Sequence, residues 1–425
     1  MREMKDSGVE WIGAIPADWS ISRIKYVAEF DPVCNKSAIN GSSLITYTPM
    51  DCIKHGWFIN NSAPLESLST SLTTYQEGDI VMAKVTPCFE NGNIAIMEGL
   101  HNGFGMGSSE LFVFRPKSID TKFFFYWLQN NAFVQKAKAT MTGTGGLKRV
   151  SPVFTRNCPI HIPPYKDQNR IALYLDGKLA QVNILIANVQ AQIEKLKAYK
   201  QSLITEVVTK GLDPTVPMKD SGIEWIGEIP VHWDVLKTGR LFKENNRKPF
   251  GNDTPLSLSQ VDGLIATDDM KESSLKTATY DNWKRVEIGD LVLNRFKAHL
   301  GVLFAATLTG IVSFHYGVYN ARCAIVPKYY EYLYHSDQYR AILGSASNGM
   351  VIGLQNLSNL NFYSTYSLYP TCEDQEKIVA YLDEKCSQIA QLIAIKQAKI
   401  EKLEQYKRSL IYEYVTGKKE VPAHT

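Results

Sequence analysis

The chain has 425 residues, 44% of them hydrophobic and 21% charged, which allows two or three ordinary water-soluble globular domains. A formal net charge of +3 excludes a strongly basic nucleic-acid binder, so any phosphate contacts must come from local patches or be shared with a partner. Seven scattered cysteines, never spaced C-x-x-C, argue against a disulfide framework and a zinc ribbon, and neither an apolar leader at MREMKDSG nor a membrane-length apolar run is present; a cytoplasmic protein is expected.

Met4 to Trp19 read MKDSGVEWIGAIPADW, and 214 positions later Met218 to Trp233 read MKDSGIEWIGEIPVHW, identical at twelve of sixteen places. Asp220 and Glu224 have no histidine, cysteine or metal-type partner at a spacing kept in both copies, so this is not a duplicated active site. Trp225, Ile226, Ile229, Pro230 and Trp233 instead predict an apolar clasp that docks a globular domain onto a stem. Between the copies come short β-type runs (DIVMAKV, NIAIMEG, ELFVFRP) and one helix-like stretch, TKFFFYWLQNNAFVQKAKAT, which together predict a compact α+β domain.

A second, longer repeat supplies that stem. DQNRIALYLDGKLAQVNILIANVQAQIEKLKAYKQSLITEVVTKG from Asp167 returns at an offset of 207 as DQEKIVAYLDEKCSQIAQLIAIKQAKIEKLEQYKRSLIYEYVTGK from Asp374. From Gln168 to Lys210 there is no proline and one glycine, Gly177. Leu175, Val182, Val189, Leu196 and Leu203 recur every seven residues, interleaved with Leu179, Ile186, Ile193, Lys200 and Val207, which is the seam of a coiled coil. The second copy offers Leu382, Ile389, Lys396, Leu403 and Leu410, interleaved with Cys386, Ile393, Ile400, Lys407 and Tyr414. Each helix would span roughly 65 Å at 1.5 Å per residue. Pairing them gives the predicted fold: α+β, two β-rich globular domains joined by two long helices that form an antiparallel coiled-coil stem with pseudo-two-fold symmetry. The boundaries fall at 1–164, 165–211 (first stem helix), 212–371, 372–418 (second stem helix) and 419–425 (tail).

The intervals between the repeated frames share only landmarks, such as EGDIVMAKV (Glu77 to Val85) against IGDLVLNRF (Ile288 to Phe296). Two related but divergent surfaces on a shared stem suit duplex DNA, whose half-sites are read separately by the two parts of a two-headed protein. Polar and basic segments come after the Gly-Asp landmark in both halves, and glycine-rich loops close each domain. The candidate DNA contacts are therefore Lys84, Thr86, Asn91 and Asn93 with Thr144, Lys148 and Arg149 in the first half. In the second they are Asn294, Arg295, Lys297 and His299 with Gln355 and Asn356. Arg, Asn and Gln are the usual readers of base edges, while Lys holds phosphates.

Enzyme-like motifs fail on their residues. HNGFGMGSSE (His101 to Glu110) lacks the Lys-Ser/Thr of a phosphate-binding loop. HIPPY (His161 to Tyr165) has the Pro-Pro-aromatic pattern of amino-methyltransferases, but Ile162 stands where an amide or carboxylate is needed. Asp383-Glu384-Lys385 reads as a solvated stretch of stem helix, and no histidine sits at metal-ligand spacing from a cysteine or carboxylate. No catalytic residue and no metal site is expected.

The paired DSG(V/I)EWIG-IP--W openings and the DQ--I--YLD leading to IEKL--YK-SLI-E-VT-G closings resemble the specificity subunits of type I restriction-modification systems, over essentially the whole chain. The resemblance implies two target-recognition domains that read an asymmetric bipartite DNA site, one half-site each, with the helices as the ruler that sets the spacer. It implies modification subunits carrying S-adenosylmethionine and restriction subunits using ATP and Mg as partners, and no cofactor in this chain. A coiled-coil protein–protein scaffold, or a self-contained methyltransferase or nuclease, are the competing readings; the latter lacks a catalytic motif.

Overall fold

The computed structural model describes residues 2–34, 39–260, 262–270, 280, 282–349 and 355–422. The chain forms two compact units, Met1–Val189 with Ala398–Thr425, and Gln190–Gln397.

In the first unit the strands are β1 (Met4–Asp6), β2 (Ala14–Pro16), β3 (Ser20–Arg23), β4 (Ala28–Phe30), β5 (Leu44–Thr48), β6 (Asn61–Pro64), β7 (Thr73–Gln76), β8 (Ile80–Ala83), β9 (Ile94–Ile96), β10 (Phe104–Gly107), β11 (Leu111–Pro116) and β12 (Pro159–Ile162). The clasp motif folds β1 on β2, and β3 pairs with β12. One sheet, antiparallel throughout, has the order β4-β11-β8-β9, and a mixed sheet, in which β5 and β10 run parallel, has the order β6-β5-β10-β7. The stretch after β11 makes two helices where the sequence predicts one, α1 (Thr121–Leu128) and α2 (Asn131–Ala139), because the Asn130 side chain accepts the Phe133 N–H and starts a new helix.

The second unit repeats the frame. Its clasp pairs β13 (Met218–Asp220) with β14 (Glu228–Pro230), and β15 (Asp234–Lys237) pairs with β24 (Tyr366–Tyr369). A sheet of β16 (Phe242–Glu244), β23 (Tyr316–Ala321), β20 (Leu291–Asn294) and β21 (Leu303–Ala305) answers the first antiparallel sheet strand for strand. The other sheet is replaced among the described residues by two antiparallel pairs, the hairpin of β17 (Leu256–Ser259) with β18 (Gly263–Ala266), and β19 (Lys284–Val286) with β22 (Gly310–Val312).

The two predicted long helices are present, α3 (Tyr165–Lys210) and α4 (Cys372–Val415). Seam residues Leu175, Leu179, Val182, Val189, Ile193, Leu203, Leu382, Cys386, Ile389 and Leu410 are buried; Ile186, Leu196, Ile393, Ile400 and Leu403 are half-buried. Within the first unit Leu175 and Leu179 share a core with Leu410, Ile411, Tyr414 and Val415. Within the second, Leu203, Ile204, Val207 and Val208 share one with Ile378, Leu382, Cys386 and Ile389. The start of one helix thus lies beside the end of the other in each unit, which is an antiparallel pairing. Two of the polar seam residues have side-chain partners: Lys396 donates to Gln192 at 2.6 Å, and Lys407 lies 3.4 Å from Glu404.

The repeated residues explain why the frame was kept. Gln168 and Gln375 are both buried. Each amide oxygen accepts a backbone N–H, from Asp120 at 2.7 Å or Val326 at 2.8 Å, and each amide nitrogen donates 2.9 Å to a proline carbonyl, Pro163 or Pro370. Asp176 and Asp383 accept tyrosine hydroxyls, Tyr126 at 2.5 Å and Tyr332 at 2.6 Å. Asp383 is exposed as its sequence context predicts, yet it is also a tether between helix and domain. The clasp tryptophans Trp19 and Trp233 are fully buried and lie against the glycines that end the helices. Gly211 sits at φ +80°, with the Trp233 ring 3.4 Å from the place a Cβ would take. At Gly417, φ +69°, a Cβ would meet the Pro16 ring at 2.6 Å.

Candidate nucleic-acid interface

Both units place the segment after the Gly-Asp landmark beside the closing glycine-rich loop. Gly78 and Gly289 take positive φ, so the following aspartate turns back into the sheet. Asp79 accepts the Gln76 N–H at 2.9 Å and Asp290 accepts the Glu287 N–H at 2.8 Å. Both carboxylates are buried, and each needs a cation. Asp79 receives Arg115 through two bonds of 2.8 Å; Asp290 receives Arg247 at 2.9 and 3.0 Å and Asn320, which occupies the place of Arg115, at 2.5 Å. Pairing with Asp79 holds the Arg115 guanidinium above its already high value despite its burial. Downstream, Val150 N–H donates to the Lys84 carbonyl at 2.9 Å, and Leu357 N–H donates to the Arg295 carbonyl at 3.0 Å, the same bond in both units.

In the first unit Thr86 is a staple: its hydroxyl donates to the Gly146 carbonyl and accepts the Lys148 N–H, both at 2.9 Å. Thr144, Lys148 and Arg149 are exposed on the loop so held. Arg149 forms a bidentate pair with Glu110 at 2.7 and 2.8 Å, which holds the Glu110 carboxyl below its ordinary range. Lys84 is half-buried with its ammonium 5.4 Å from the Phe112 ring. Asn91 is exposed and Asn93 half-buried. Beside them His55 Nδ1 lies 3.0 Å from the Gly92 carbonyl, and Trp57, absent from the sequence-based candidates, is 56% exposed. Its signal was a pair of adjacent aromatics, Trp57 and Phe58, directly after His55-Gly56.

In the second unit Asn294 is buried and caps the next turn by accepting the Phe296 N–H at 3.1 Å. Arg295 points inward, to Glu244 at 2.5 Å and Asn359 at 2.8 Å. Burial alone would raise the Glu244 carboxyl, but Lys284 and Arg295 outweigh it and hold it below its ordinary range. Lys297 is exposed, and His299 is half-buried with Nδ1 unpartnered among the described residues. Gln355 is half-buried and Asn356 exposed, with Asn356 and Asn348 exchanging backbone bonds of 2.8 and 3.0 Å. Residues 350–354 of that loop lie outside the described residues. The candidates are therefore assembled into one loop cluster per unit. Their equivalent cations Lys84 and Arg295 serve the scaffold, leaving Lys148, Arg149 and Lys297 facing solvent.

Residues 16–195 match the family model of the type I restriction modification DNA specificity domain. The resemblance carried by the repeated motifs is borne out. The chain is 30% identical over 230 residues to the type I restriction enzyme EcoAI specificity subunit of Escherichia coli, and 28% identical over 230 residues to the EcoEI specificity subunit. These alignments take in 53% of this chain but only 38% and 37% of the relatives, so it spans about two fifths of their length. Over 96% of the chain it is 24% identical to a chain provisionally named the MjaX specificity subunit of Methanocaldococcus jannaschii, covering 95% of that relative. The fold is shared with the HsdS subunit of Thermoanaerobacter tengcongensis, at TM-score 0.51 and 17% identity over 95% of this chain and 98% of that one. A chain from a study of complex assembly and conformational transition of the type I R-M system superposes at TM-score 0.70, with 15% identity over 94% of this chain and 98% of that one. The specificity-domain match begins at the clasp and ends inside α3, so it takes in the whole loop cluster of the first unit.

Proposed function

We propose that this chain is the DNA-reading specificity subunit of a type I restriction-modification complex, with one half-site of an asymmetric, split duplex site read by each unit. The observation that carries the reading is the repeat of one frame around two unlike loop clusters, the first within a DNA specificity domain. The chain itself performs no chemistry on this reading. S-adenosylmethionine belongs to partner modification subunits, and ATP and Mg to partner restriction subunits. The antiparallel helices act as the ruler that sets the spacer. No helix among the described residues is long and apolar enough to cross a membrane.

Footprinting the chain with and without a co-expressed methyltransferase partner tests the reading: two separated protected half-sites are expected. Protection of no split site in either state would overturn it. A seven-residue insertion in heptad register after Val189 is expected to change the spacer and leave both half-site sequences alone.

A further inference from the structure

The turn joining β22 to β23 breaks a local rule. Tyr316 N–H donates 2.9 Å to the Ser313 carbonyl, which closes a tight turn with Phe314 and His315 at its two central positions. Such positions ordinarily take Gly, Asn, Asp, Ser or Pro, because their backbone or short polar side chains suit the bend. Here a phenylalanine that is 51% exposed occupies one. A residue that violates local preference without a packing gain is a candidate for function.

The rings pack on one another. His315 lies between Phe314, at a centroid distance of 3.9 Å, and Phe296, at 5.4 Å, so three rings form one aromatic edge. Lys297, exposed to solvent, adjoins it. The edge stands on one carboxylate. Lys284 donates to Glu244 at 2.8 Å and to the Tyr316 carbonyl at 2.9 Å, gripping the foot of the turn, while Glu244 also holds Arg295, immediately before Phe296. Strand register puts the first unit's counterpart at Ser108, Ser109 and Glu110, since Leu111 pairs with Ala83 as Tyr316 pairs with Asn294. Serine and glutamate stand there where the second unit has phenylalanine and histidine.

We infer that Phe314 and His315 form an aromatic wedge that stacks into a base step of the half-site read by the second unit, with Lys297 on the adjoining phosphate and Glu244 as a positioning residue. Apolar side chains inserted between bases unstack and kink the duplex, and this selects steps that deform readily. The inference rests on the proposed function, and its test separates the two.

The chain is co-purified with its methyltransferase partner, and its site is defined by sequencing bound duplexes. 2-Aminopurine is then placed at each position of the second unit's half-site in turn. With the wild-type chain, fluorescence is expected to rise at one step. Phe314→Ala is expected to abolish that rise, weaken binding by about tenfold or more, and broaden sequence choice in this half-site only. Glu244→Gln is expected to lower the rise with all three rings retained. If wild-type binds a split site but no position brightens, or if Phe314→Ala leaves binding and half-site choice unchanged, the wedge is overturned while the proposed function stands. Loss of the methyltransferase partner on Phe314→Ala, with DNA readout intact, would also overturn it and mark the turn as a protein contact. Failure of the wild-type chain to select any split site would instead overturn the proposed function.

Discussion

Trp19 and Trp233 occupy the same place in the two units, each fully buried at the foot of its clasp, yet they are satisfied differently. Trp233 donates its indole N–H to Asp374 at 3.0 Å, and His232 joins the same carboxylate at 2.8 Å. In the first unit the equivalent Asp167 pairs with Arg2 at 3.1 Å, and the Trp19 indole N–H has no partner among the described residues. The same contrast recurs at the buried landmark aspartates, whose side-chain partner among the described residues is Arg115 in one unit and Arg247 with Asn320 in the other. The backbone frame and the position of each buried anchor are held fixed, while the partners of those anchors drift. At the loop tips the drift is complete, Ser109-Glu110 against Phe314-His315. A duplicated frame therefore tolerates exchange of partners but not of burial.

That comparison can be broken in several ways. Trp19→Ala and Trp233→Ala should be the most damaging, each costing about 3–5 kcal/mol in chemical denaturation. A small loss at either would mean the clasp is not a structural anchor. Next, Asp79→Ala leaves the largely buried Arg115 without its carboxylate and should cost about 3 kcal/mol. Asp290→Ala should cost about half as much, since Arg247 keeps Glu287 at 3.0 Å. Equal losses would refute the difference in partnership.

Acid should act on both units together. Burial pushes His161 down to about 4, against the pull of the Val415 carbonyl it binds, and burial likewise pushes His335 down to about 4. Unfolded histidine takes up its proton near pH 6.5, so between pH 6.5 and 4 the unfolded chain binds more protons. Stability is then complete above pH 6.5 and falls as pH drops, by roughly 2 kcal/mol per histidine at pH 5. His161→Phe or His335→Phe should each remove its share of this slope in denaturation midpoints measured at pH 7 and pH 5. The smallest effect separates the tryptophans: Trp233→Phe should cost about 1 kcal/mol more than Trp19→Phe, the value of one hydrogen bond.

Much of the frame was legible because repetition replaced the alignment that a single sequence lacks. The heptad seams of α3 and α4 showed themselves by spacing, and the clasp by its tryptophans. The helix break at Asn130 was not legible from the apolar pattern, which runs through it; only the cap reveals it. The loop cluster was legible as a position rather than as chemistry. Lys84 and Arg295 look like DNA contacts in sequence, but the Phe112 ring and Glu244, far away along the chain, claim them. Trp57 and the Phe314 turn were missed because short aromatic runs in loops carry no periodic signal, and only their exposure distinguishes them from core residues.

The measurement that bears most directly on the central claim is selection of bound duplexes from a random library by the chain co-expressed with the proposed methyltransferase partner, for wild type and for Lys148→Ala/Arg149→Ala in the first unit. The account predicts two unlike half-sites across a fixed spacer, with the double substitution weakening or relaxing one of them and leaving the other intact. A single contiguous motif, or relaxation of both half-sites by changes confined to one unit, would contradict it.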